Sequence, residues 1–356
     1  MTNRTFTPYN YKFGQESVPF VLDSDYDGVR ILKAGRQGYI IQAYDNNQGR
    51  VVAIKKMKQF NDARSALQVY REFCISRHAR HRNLVELLDA FSPKTGPDMT
   101  EIYIVYELMD YSMRDLLVLP KENNLNLKNM VWDKKNGDIF LANVLFQLFC
   151  GLRYLHRPSL AVIHRDVKPE NILFRRNGNH WTVKFCDWGL SRHMRENEPD
   201  QTGYVVSYPY RAPEIIITGS YGFSVDLWSI GCILGEMITG KILFERKSPN
   251  ELIYRILYVV GFPTGTDFPP YISRELESSI YGQCRLDEIF SDAGLPNWDN
   301  QRLSKEFIRW LIRHLLNYTP QERITANDAA HLPQFNILAN PAGTPLKGMD
   351  DEPETF

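Results

Sequence analysis

Val162-Ile163-His164-Arg165-Asp166-Val167-Lys168-Pro169-Glu170-Asn171 is the stretch whose reading decides the fold. An apolar pair runs into a polar cluster that a packed core would not choose. Pro169 denies the segment a regular helix, so it reads as a rigid loop. A carboxylate (Asp166), an ammonium (Lys168) and an amide (Asn171) then converge on a small volume. That set suits phosphoryl transfer: the carboxylate orients a hydroxyl and accepts its proton, the ammonium offsets phosphate charge, and the amide holds a metal. Downstream, the apolar run Trp181 to Cys186 reads as a strand that delivers a second carboxylate, Asp187, followed by Trp188 and Gly189.

The totals bound the class. A chain of 356 residues is too long for one compact core and comfortable for two lobes. Its 43% hydrophobic and 24% charged residues are ordinary for a globular chain. Lysine plus arginine equals aspartate plus glutamate, 42 each, so charge argues for neither a nucleic-acid nor a membrane partner. The five cysteines are scattered without metal-ligand spacing, which fits a reducing intracellular compartment. No signal-like N-terminal core and no run of membrane-spanning length is expected.

Outward from the central loop, Val29 to Lys33 and Tyr39 to Tyr44 read as strands joined by Ala34-Gly35-Arg36-Gln37-Gly38, with Arg50 to Lys55 as the next strand. A glycine-bearing hairpin can lay backbone N–H groups over phosphates. Lys55 ends this strand, and Lys56 after it reads as a solvated strand-end lysine. Leu67 to Arg77 reads as a helix with Leu67, Tyr70, Phe73 and Cys74 on one face. Leu84 to Phe91 and Ile102 to Glu107 are further strands. Residues 1–27 lack periodicity and read as a surface extension packing through Tyr11, Phe13, Phe20 and Val21. Residues 120–138 read as a polar insertion. Asp138 to His156 is the clearest helix, with Leu141, Val144, Leu145, Leu148, Phe149, Leu152 and Leu155 as a core stripe.

The order H-R-D-x-K-x-x-N at 164–171, then Asp187-Trp188-Gly189, then Ala212-Pro213-Glu214, resembles the eukaryotic protein kinases. Val225-Asp226-Leu227-Trp228-Ser229-Ile230-Gly231 is a further match. Arg71-Glu72, Gly261-Phe262-Pro263-Thr264 and the lip Thr202-Gly203-Tyr204 narrow it to the cyclin-dependent and MAP kinase group. Within that group the chain is most similar to a TGY-lip mitogen-activated protein kinase of stress-activated or fungal type. The resemblance implies an α+β, two-lobed fold: an extension over 1–27, a kinase domain over 28–336 (small β-rich lobe 28–108 with one regulatory helix, larger mainly α-helical lobe 110–336), and a tail over 337–356.

It also implies roles. Asp166 would be the base and Lys168 the partner of the γ-phosphate, with Lys55 on the α/β-phosphates and Glu72 positioning Lys55. Asn171 and Asp187 would hold Mg2+. ATP would lie against Lys33, Gly35, Gly38, Ile40, Ala53, Glu107, Met109 and Ser112, with Tyr106 as gatekeeper closing the space behind adenine. In the family's glycine pattern Lys33 stands where the first glycine is usual, and Ser112 where an aspartate often meets the ribose. Thr202 and Tyr204 would be the phosphorylated lip residues, read by Arg71, Arg165, Arg192 and Arg211. Asp226 would accept from the catalytic-loop backbone, and Arg323 would pair with Glu214. Tyr208 and Pro209 replace the usual arginine and tryptophan of the lip. The implied activity is ATP-dependent transfer to Ser/Thr-Pro of protein substrates. The implied partners are an upstream dual-specificity kinase, substrates with docking peptides, and phosphatases, acting on a monomer in cytoplasm and nucleus. A cyclin-dependent-type kinase and a pseudokinase scaffold are the alternative readings.

Overall fold

The computed structural model describes residues 4–34, 38–57, 62–94, 99, 101–120, 122–194, 208–217, 219, 222–245, 248–262 and 285–338. The chain divides into two compact units: Met1–Asp110 with Asp187–Leu190, and Tyr111–Cys186 with Ser191–Phe356.

The first unit opens with a hairpin, β1 (Phe6–Phe13) against β2 (Glu16–Asp23). It continues with β3 (Tyr26–Ala34), β4 (Gly38–Asp45), β5 (Arg50–Met57), the helix α1 (Ala63–His78), β6 (Leu87–Phe91) and β7 (Tyr103–Glu107). The sheet is antiparallel in the order β3-β4-β5-β7-β6. The hairpin corrects the reading of residues 1–27 as an extension without periodicity. Val18, Phe20 and Leu22 alternate inward on β2 and join Ile41, Val52, Ile54 and Tyr103 in one core. Of the expected packing residues, Phe20 is fully buried and Tyr11 meets its ring edge-on at 5.4 Å, while Val21 is only half-buried. The Phe13 side chain lies outside the description.

Two further expectations fail in this unit. Lys56 is buried: its ammonium bonds the Pro19 carbonyl and Glu101, and it lies 5.4 Å from the Phe20 ring centre. On α1 the inward residues are Val69, Glu72 and Ser76, while Tyr70 is exposed. The hydrophobic face read from Leu67, Tyr70, Phe73 and Cys74 is therefore not the buried one. Asp62 caps α1 through Ser65 N–H, so the helix starts earlier than Leu67.

The second unit is mainly helical: α2 (Met113–Val118), α3 (Leu127–Trp132), α4 (Gly137–His156), α5 (Pro213–Ile217), α6 (Ser224–Thr239) and α7 (Pro249–Val260), followed by helices at Lys305–Leu315 and Ala326–Ala330. The seven stripe residues of α4 are all buried. By length and composition alone α4 could cross a membrane, contrary to the expectation that no run would. Most of it is buried, because it is the core helix of this unit. Residues 120–138 are not a plain polar insertion. They contain α3, capped by Asn126, with Leu127 and Val131 buried and Trp132 Nε1 donating to the Ile238 carbonyl at 2.7 Å. Short strands carry the loop of interest: β8 (Tyr111–Ser112), β9 (Val162–Ile163), β10 (Ile172–Asn177), β11 (His180–Phe185) and β12 (Arg192–His193). They pair as β11-β10-β8 and β12-β9.

Candidate active site

In the second unit, β9 ends at Ile163 and β10 begins at Ile172, so residues 164–171 are held at both ends. Asp166 Oδ2 accepts from Lys168 Nζ at 2.6 Å and from Asn171 Nδ2 at 2.9 Å. Asn171 Nδ2 also donates to the Asp166 carbonyl, which turns the amide oxygen away from that pair. A hard oxygen donor in that orientation suits magnesium. Asp166 and Asn171 are buried, so these bonds persist in a low-dielectric setting.

The loop is shaped from beneath by Asp226 on α6. Its carboxylate accepts from the backbone N–H groups of His164 and Arg165, each at 2.9 Å, and contacts His156 Nε2 at 2.9 Å. Burial works against its charge, but the bond from His156 and the nearby His164 outweigh that and hold the carboxyl below its ordinary value. The expected role of Asp226 is thus seen directly. Arg165 sits at φ 67°, a left-handed conformation that costs energy for a non-glycine residue and is stabilised here by the Asp226 bonds. Arg323 grips Glu214 with two nitrogens, at 2.6 and 3.0 Å, as the resemblance implied.

In the first unit, Lys55 Nζ lies 2.6 Å from Glu72 Oε1 and 3.3 Å from Asp187 Oδ1. Burial disfavours the ammonium charge, but Asp187 and Glu72 outweigh it and raise the Lys55 pKa. Asp187 also has a positive φ, 69°. Trp188 beside it is buried. Gly38 is required by packing: a Cβ there would come within 2.1 Å of the Lys56 carbonyl oxygen. In the β4–β5 ladder Ile40 pairs with Lys55 and Ala53 with Gln42, Ile40 and Ala53 both being half-buried, and Lys33 is exposed at the end of β3. Glu107 accepts from Glu86 N–H through its carboxylate, and Met109 is buried. Gly35 lies outside the described residues.

Ser112 has a structural task in the second unit. Its hydroxyl and the Asp115 carboxylate form a capping box at the start of α2. Thr202, Tyr204 and the Tyr208 side chain lie outside the description. Arg71 stands beside Glu72 on α1; Arg192 pairs through its backbone with Ile163, two residues before Arg165; Arg211 lines a cleft with Asp166, Lys168 and Tyr210.

Sequence reasoning missed one cluster. Arg114 on α2 donates to Glu170 at 2.8 Å, Glu236 at 2.6 Å and the Tyr210 hydroxyl at 2.5 Å, and Tyr210 donates to Glu236 at 2.5 Å. Glu170 within K-P-E-N was a signal, but its partner is far off in the chain.

Residues 26–335 match the protein kinase domain family model. The chain belongs to the protein kinase family. The kinase is 30% identical to stress-activated protein kinase JNK of Drosophila melanogaster, over 99% of its own length and 93% of the relative's. It is 33% identical to stress-activated protein kinase jnk-1 of Caenorhabditis elegans, over 88% of its own length and 64% of the relative's. It is an ATP-dependent serine/threonine kinase of the MAP kinase group, with ATP and Mg2+ as its cofactors. The β-sheet unit and the helical unit are the two parts of that fold.

Proposed function

We propose that this kinase phosphorylates Ser/Thr-Pro sites of protein substrates and is switched by phosphorylation of Thr202 and Tyr204. The observation that carries the catalytic half is the pair of donors on Asp166 Oδ2. They hold the carboxylate in place to accept the proton of a substrate hydroxyl, and Lys168 is at hand to offset charge on the transferred phosphoryl. Lys55, fixed by Glu72, takes the α/β-phosphates. Asn171 and Asp187 would offer magnesium an amide and a carboxylate oxygen, the hard donors it needs. When bound, Mg-ATP supplies the phosphoryl group and neutralises part of its charge.

The switch and the target class rest on the group to which the chain belongs and on two relatives named as stress-activated kinases. An upstream dual-specificity kinase would modify the lip, phosphatases would reverse it, and docking peptides would bring substrates to a monomer in cytoplasm and nucleus. The test uses lip-phosphorylated kinase, labelled ATP and matched peptides carrying Ser-Pro or Ser-Ala, with Asp166→Asn as blank. A Ser-Pro preference of about tenfold or more is expected. Equal transfer to both peptides would remove the proline-directed reading.

A further inference from the structure

The buried face of α1 is unusual in what it carries. Of Val69, Glu72 and Ser76, two are polar, and all three are nearly solvent-free. Buried polar groups need partners. Ser76 lies one helical turn beyond Glu72, so the two side chains are neighbours on this face. Tyr106 of β7 pairs with Ala53 of β5, and Ile104 pairs with Lys55. Tyr106 and Lys55 therefore project from the same side of the sheet.

Their polar atoms meet on one oxygen. Tyr106 Oη is 3.0 Å from Ser76 Oγ and 3.4 Å from Glu72 Oε1, and Lys55 Nζ is 2.6 Å from that same Oε1. A phenol has one proton to give. Since a carboxylate only accepts, Tyr106 donates to Glu72 and Ser76 donates to Tyr106. The other carboxylate oxygen, Oε2, is buried with no hydrogen-bond partner among the described residues. The hydrogen bonds of the Glu72 carboxylate thus come through Oε1, from Lys55 and Tyr106. Burial holds the Glu72 carboxyl above its ordinary value, with Asp187 adding to this and the Lys55 ammonium and Tyr106 hydroxyl working against it.

We propose that the Tyr106 hydroxyl is a positioning group for the Lys55–Glu72 pair, pinning one turn of α1 to β7 through Ser76 and Glu72. The ring of Tyr106 supplies bulk; its terminal oxygen sets where Glu72, and through it Lys55, can stand. The inference rests on the assignment of Lys55 and Glu72 to the nucleotide phosphates.

Tyr106→Phe removes one oxygen and keeps the ring. Expected is a loss of about tenfold in kcat/KM for ATP, with the peptide KM unchanged and faster hydrogen exchange confined to α1. Ser76→Ala gives a smaller loss of the same kind, and the double variant is no worse than Tyr106→Phe alone, because both break one chain of bonds. Wild-type kcat/KM and α1 exchange in Tyr106→Phe, or additive losses in the double variant, overturn the proposal. Should Tyr106→Phe fail to fold, unchanged ATP kinetics in Ser76→Ala overturn it. Glu72→Gln separates the two levels. If it is silent, the role of the pair is wrong; if it is damaging while Tyr106→Phe is silent, only the role of the hydroxyl is wrong.

Discussion

The guanidinium of Arg114 and the carboxylate of Glu236 lie 2.6 Å apart, and Glu236 is 3% exposed. Arg114 also reaches Glu170 and Tyr210, so α2, the catalytic loop, the end of the lip and α6 share one ion. Removing one partner from such a pair strands the other charge. Arg114→Ala should cost about 3 kcal/mol in urea unfolding, and distinctly less in a Glu236→Gln background. A cost within about 0.5 kcal/mol would show the pair to be idle.

Asp166→Asn and Lys55→Arg should each reduce phosphoryl transfer by at least about 100-fold. The amide keeps the shape of Asp166 and its contact with Lys168 but cannot take a proton. Arginine keeps a charge near Glu72 in a different shape. Melting temperatures should stay close to that of the unaltered kinase, and normal turnover in either variant would remove that residue from its role.

The lip should respond unequally. A phosphate on Thr202 adds about 1.5 to 2 negative charges and three acceptor oxygens, which on the family's pattern Arg71, Arg165 and Arg192 would read. On the family's pattern a phosphate on Tyr204 would have Arg211, whereas Tyr208 stands where a second arginine is usual. Thr202→Ala should therefore lose far more activity than Tyr204→Phe after treatment with an activating dual-specificity kinase. Equal losses refute the asymmetry, and no loss in either points to a constitutively active enzyme.

Asp226 predicts a pH effect of defined sign. Its carboxyl is held below the ordinary value in the folded state. Its contribution is thus complete above the unfolded-state value and is lost as pH falls through the folded one. Asp226→Asn should lower stability at neutral pH and flatten the decline as pH falls below about 4. Urea midpoints across that range check it; an unchanged slope would show that His156 and the loop backbone do not depend on the charge.

The central loop and its supports were legible because chemistry restricts each position: a base, a cation and an amide do not substitute for one another at 166, 168 and 171. Asp226 and the Arg323–Glu214 pair were legible through the resemblance to the kinase family. The rest depended on what the fold brings together. Val18, Phe20 and Leu22 alternate over too few residues to announce a strand, with a proline and a second valine standing between them. The inward face of α1 was misread because Glu72 and Ser76 take places that periodicity assigns to apolar residues. Lys56 looks like any strand-end lysine until Pro19, Phe20 and Glu101 surround it. Nothing at Arg114 points to 170, 210 and 236.

The hairpin β1–β2 has a practical consequence for anyone who would shorten this protein. The family match begins at residue 26, just after the hairpin ends. Yet Phe20 and Leu22 are fully buried in the same cluster as Tyr103, and Val21 N–H is bonded to the Tyr103 hydroxyl at 2.9 Å. Cutting at Tyr26 would leave Tyr103 and Phe91 facing water and strip the Lys56 ammonium of the Pro19 carbonyl and the Phe20 ring. A newly exposed apolar patch invites self-association. The start of the family match is therefore not a border of solubility, and a shortened kinase should keep its first two strands.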